Sequence, residues 1–166
     1  MELPRIPIKD ISPADLRRFF LSHLNRIYCA KNQLVDKLPL LVHRSYFLDL
    51  QQAIAGTIEI VELQIERIKQ VYIELDTFYQ PESCIGLVGL LDEAFQSIGG
   101  ADETAAVRDL SIIFYMQNIE SIETASFKVM TRVADKLASP DVAQLLLECY
   151  DDAREDKALF LAITEN

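Results

Sequence analysis

The sequence predicts an all-α protein: an antiparallel four-helix bundle with one additional short helix. Apolar residues recur at alternating spacings of three and four over long stretches, the period of a helix with one buried face. Two of these stretches open on Ser-Pro start signals. Only five of 166 residues are glycine, and no Pro-, Ser- or Gln-rich tract interrupts the chain.

Residues 1–11 carry Pro4 and Pro7 without a helical period and read as an irregular N-terminal arm. Ser12 is then a good N-cap, Pro13 suits the first helical position, and Asp15 favours the positive end of the helix dipole. The first helix carries Leu16, Phe20, Leu24, Ile27, Leu34 and Leu38 on one stripe, and Pro39 is expected to kink or end it. A second helix is expected from near Ser45 to about Asp76. Its stripe is Leu50, Ile54, Ile58, Val61, Ile65, Ile68, Tyr72 and Leu75. Tyr79 to Ser83 punctuate, Ile85 to Ile98 forms a minor helix, and Gly99-Gly100 closes it. The third long helix spans about Asp102 to Leu137, with Ile113, Met116, Glu120, Glu123, Phe127, Met130, Ala134 and Leu137 inward. Ser139-Pro140 starts the last helix, which runs to about Ile163 with Val142, Leu145, Cys149, Leu159 and Ile163 inward. Asp152 and Asp156 interrupt that line.

A chain of 166 residues fits one domain, residues 1–166, which should bury roughly 70% of its unfolded surface. A net charge of −10 repels phosphate backbones and anionic lipid, so nucleic acid and membrane are not the expected partners. No apolar run is long enough to span a bilayer and the N-terminus lacks a signal-peptide pattern, which leads to a cytoplasmic expectation. Cys29, Cys84 and Cys149 are odd in number and lie at no metal-binding spacing, so neither a disulfide framework nor a zinc knuckle is expected. His23 and His43 have no catalytic partner at a recognisable spacing, and they read as surface or half-buried residues. No phosphate-cradling glycine loop, Gly-x-Ser-x-Gly elbow or His-Glu-x-x-His run is present.

An ionised carboxylate on an inner face needs a cation, a shared proton or water, because desolvation costs it several kcal/mol. Candidates are Glu59 and Glu62 on the second helix, Glu120 and Glu123 on the third, and Glu148, Asp151 and Asp152 on the fourth. Each pair shares a helix face, and three facing pairs could supply the oxygen ligands that iron or manganese accepts. The opposing reading is a solvated helix face. It weighs most on Glu59, Glu62 and Asp151 and least on Glu120 and Glu123, which replace apolar residues on a strict stripe. Lys31 falls on the first stripe between Ile27 and Leu34. An ammonium there repels metal cations and offers buried acids a partner. With Arg17, Arg18, Arg26 and Lys37, it makes the first helix net positive, a complement to the acidic last helix.

The segments Phe20 to Leu41, GTIEIVELQIERIKQVY, CIGLVGLLDEA, QNIESIETASF and LLLECYDDAREDKALFL resemble, in order, those of the YciE/YciF family of ferritin-like bacterial proteins. The most specific pieces are Tyr28-x-Ala-x-x-Gln33-Leu, Gln64-Ile-Glu66-Arg67 and Gln117-x-x-Glu120-x-x-Glu123. The resemblance implies a ferritin-like bundle, a homodimer, a link to stress responses and no established reaction. Its metal-site pattern transfers onto Glu59 with Glu62, Glu120 with Glu123, and Glu148 with Asp151. Lys31 stands where the family has a first-helix Glu, and Ser121 stands where it often has His. The sequence is therefore read as a non-enzymatic structural or stress-related protein with a degenerate carboxylate site and no cofactor. The alternative is a carboxylate-bridged iron or manganese protein with oxidase or peroxide chemistry. A third class is a helical adaptor that binds a protein through its acidic face.

Overall fold

Ser12 caps the first helix through its hydroxyl, which accepts from the Asp15 amide, and Pro13 follows at the first helical position. In a computed structural model that describes residues 3–100, 102–137 and 139–165, this helix is α1, Pro13–Arg44. Four more follow: α2 (Leu48–Glu74), α3 (Ile85–Ser97), α4 (Ala105–Ala134) and α5 (Pro140–Ala162). Met1 and Glu2 of the expected arm lie outside the described residues, and Ile8–Asp10 within it forms one 3-10 turn.

Pro39 does not end α1, which continues to Arg44. Proline in a helix interior costs about 3 kcal/mol, and Leu38 and Leu41, both fully buried, hold the last turns on the core. The chain then leaves the helix as Ser45 donates from its hydroxyl to the Val42 carbonyl and from its amide to the Leu41 carbonyl. Helix α2 starts later than expected, at Leu48, and has no side-chain cap of its own. Asp109 of α4 supplies one from across the bundle, accepting from the Tyr46 and Phe47 amides at 3.0 and 2.7 Å.

Two apolar compartments fix the topology. One joins the start of α1 (Leu16, Phe20, Leu24) to the ends of α2 and α4 and the start of α5. The other joins the end of α1 (Leu34, Leu38, Leu41) to the starts of α2 and α4 and to Phe160 of α5. Helices α1 and α5 therefore run one way and α2 and α4 the other. The packed neighbours, α1 with α2 and α4, and α5 with α2 and α4, are all antiparallel. Because α2 and α4 are parallel, residues 75–104 must return along the length of the bundle, and α3 lies on this return, packed against α1 and α4.

Helices α1 and α5 sit on a diagonal, so among the described residues no ion pair links them directly, though Asp156 and Asp152 of α5 still attract the Lys31 ammonium of α1, as their opposite charges predict. One expectation is corrected by this arrangement. On α5 the inward line passes through Asp156 to Phe160, which is fully buried, while Leu159 is exposed. The cysteine reading also changes: Cys29 of α1 and Cys84, at the N-terminus of α3, form a disulfide with Cα atoms 6.1 Å apart. They lie 55 positions apart in the sequence, so only the tertiary path of the return segment brings the two thiols together. Cys149 is free and buried, as expected. No helix among the described residues is long and apolar enough to cross a membrane.

Candidate functional site

Between the two compartments lies a polar layer to which all four long helices contribute. Lys31, on the buried stripe of α1, is fully buried. Its ammonium pairs with Glu123 of α4, donates to Gln64 Oε1 of α2 at 2.5 Å and lies 4.8 Å from the centroid of the Phe127 ring. Gln64 Nε2 in turn donates to the Cys149 carbonyl of α5 at 3.0 Å. An uncompensated buried ammonium would be strongly unfavourable, and these contacts satisfy it with a carboxylate, an amide oxygen and an aromatic face.

One turn before Glu123, the buried Glu120 meets Asp156 of α5 within hydrogen-bonding reach. Asp156 also accepts from Thr57 Oγ1 of α2 at 2.6 Å. Burial, with the neighbouring Asp156 charge, pushes the Glu120 carboxyl up to about 8. Burial likewise raises Asp156. Glu120 thus keeps its proton at neutral pH and can donate it to Asp156. Burial lowers Lys31 to about 8, against the pull of Glu120 and other acids. Near its edge the layer is closed by Arg67 of α2, which contacts Asp152 at 2.5 Å and Glu148 at 3.2 Å, both on α5.

Of the six carboxylates onto which the family's metal-site pattern transfers, Glu120 and Glu123 reach the centre. Glu59 and Glu62 point to solvent from α2. Glu148 faces Arg67, and Asp151 pairs with Arg154 on its own helix at 3.6 Å. These residues do not fit a carboxylate-bridged metal pair: among the described residues, no group of three or more His, Cys, Asp or Glu side chains is placed to hold an ion. The ammonium of Lys31 takes the contact with Glu123 that a cation would need. Sequence reasoning missed Gln64, Thr57 and Arg67 as partners and treated Asp156 only as an interruption. The available signal was a polar residue on a buried line, as with Gln64 between Val61 and Ile68. The layer offers no activated nucleophile either, since burial pushes the Cys149 thiol up to about 11.

Residues 15–166 match the family described as Domain of unknown function (DUF892). The chain belongs to this family. Among solved structures, the Escherichia coli stress protein YciF is 28% identical with a TM-score of 0.84, over 89% of this chain and 93% of that one. YcfI from Rhodopseudomonas palustris, a proposed structural protein, is 24% identical with a TM-score of 0.82, over 94% of this chain and 97% of that one. The YciF-like affiliation and the helical-bundle fold follow from these likenesses and from the helices above. No curated protein matches the chain significantly.

Proposed function

We propose that this protein is a non-enzymatic bundle with a structural or stress-related role, in which the Lys31 ammonium takes the interior place of a metal cation. The observation that carries the reading is the fully buried contact of Lys31 with Glu123. The similarity to a stress protein and to a proposed structural protein supports the cellular role. Elemental analysis of protein purified without chelators tests it. We expect no stoichiometric iron or manganese in the unmutated protein, and uptake, if any, only in Lys31→Glu. Stoichiometric metal in the unmutated protein would overturn the reading in favour of carboxylate-bridged redox chemistry.

The working form in this proposal is a homodimer. Leu48, Leu63 and Ile73 on the outer side of α2 are 63%, 50% and 68% exposed, and α3 packs on α1 and α4 rather than over them. Apolar side chains left on one helix in this way favour burial against a second copy. Light scattering after size exclusion should give twice the chain mass, and Leu63→Glu should shift it to the monomer. A monomer in the unmutated protein would remove the dimer from the proposal.

A further inference from the structure

Helix α3 covers only part of the groove between α1 and α4. Beside its N-terminus the groove opens into a cavity of about 470 Å³, within the range of small-ligand pockets. Apolar side chains dominate its walls, including Ile27, Phe127 and Met130. Cys84 lines it too, so the disulfide to Cys29 fastens one wall to α1. Two further residues of α1, His23 and Arg26, line the cavity and, among the described residues, carry the only basic side chains on its walls. Among the same residues the one acid on the walls is Glu123, committed to Lys31.

The geometry points to a binding site for a free medium-chain monocarboxylate, with its alkyl chain in the cavity and its carboxylate at His23 and Arg26. Charge placement sets the direction: the Arg26 guanidinium at the mouth attracts the carboxylate, whereas the inner wall, where Glu123 is already neutralised by Lys31, offers it no cation. Arg26 already contacts Glu82 at 3.6 Å and donates to the Ser83 carbonyl at 3.2 Å. Its side chain and that of Glu82 are 46% and 35% exposed, and ion pairs of such exposure are weak enough for a ligand carboxylate to exchange into. The site is separate from the exposed side of α2 and requires no metal.

Isothermal titration with decanoate, octanoate, decanol and decylamine tests the assignment. We expect saturable one-to-one binding of decanoate, about tenfold tighter than decanol. Octanoate should bind about fifteenfold more weakly than decanoate, because two methylenes leave the apolar wall. Arg26→Gln should erase the preference for acid over alcohol. Ser126→Phe, which fills the cavity, should abolish binding with the helical circular dichroism unchanged. If that variant does not fold, Val129→Asp at the rim should weaken decanoate about tenfold by repulsion, and unaltered affinity there overturns the proposal. It is also overturned by no saturation at about 1 mM, by decylamine binding better than decanoate, or by equal affinities for acid and alcohol. Conversion of a dimer to a monomer by Ser126→Phe without any ligand binding would assign the cavity to a second copy and overturn it as well.

Discussion

Lys31 and Glu123 form a buried ion pair across α1 and α4, with side chains 0% and 5% exposed. Removing one member therefore costs more than the pair itself contributes, because the survivor is left charged in an apolar interior. Lys31→Met should destabilise the fold by about 3–5 kcal/mol, read from urea unfolding. Lys31→Met with Glu123→Gln should recover most of that loss. A double variant no more stable than Lys31→Met would show that the ion pair is not the source.

The same layer makes stability depend on pH in two opposite steps. Glu120 is raised from 4.5 to about 8, so between these values the folded state binds the extra proton and stability falls as pH rises. Asp156, also raised, adds to that fall. Lys31 is lowered from 10.5 to about 8, so above about 8 the unfolded state binds the extra proton and stability rises with pH. Urea midpoints should pass through a minimum near pH 8. Glu120→Gln should flatten the acid limb and Lys31→Met the alkaline one; limbs that persist in both variants would contradict these assignments.

Arg67 clamps α2 to α5 through Asp152 and Glu148 with a side chain only 17% exposed. Arg67→Ala should cost about 1 kcal/mol at low salt, with a smaller difference from the unmutated protein at high salt. Lys at this position should restore only part of the loss, since a point ammonium cannot reach two carboxylates in a fixed fork. Full rescue by lysine would argue against the forked geometry.

The Cys29–Cys84 bond closes a loop of 55 residues. On loop-closure entropy alone, the oxidised protein should be about 4 kcal/mol more stable than Cys29→Ser with Cys84→Ser. A reducing compartment opens such bonds, so the difference should disappear when a dithiol reductant is present throughout the unfolding curve. Persistence of the difference under reduction would place its origin in the serine substitutions.

Much of the fold was legible because it is local. Ser12-Pro13 and Ser139-Pro140 are starts wherever they occur, and both hydroxyls cap as expected, accepting from the Asp15 and Val142 amides. Lys31 was legible as an interior residue because it replaces an apolar side chain on a helical stripe. What was not legible depends on contacts between helices. Pro39 reads as a kink or an end until Leu41 is seen buried beyond it, and nothing near Phe47 announces that Asp109 caps α2. Glu59 and Glu62 drew attention as a ligand-like pair, yet they lie off the buried line. Gln64, a neutral side chain on that line, supplies the contact to Lys31 and to α5. The partners of Asp156 required the relative height of α2, α4 and α5, which no single helix encodes.

The polar layer also has a mechanical consequence for how the helices align along their axes. A slide of α1 by one turn, about 5.4 Å, would carry the Lys31 ammonium into one of the apolar compartments and leave Glu123 facing hydrocarbon. Apolar side chains such as Leu24 and Leu34 tolerate many vertical offsets; a lone charge does not. Lys31 thus acts as a pin that holds α1 at one height against its neighbours.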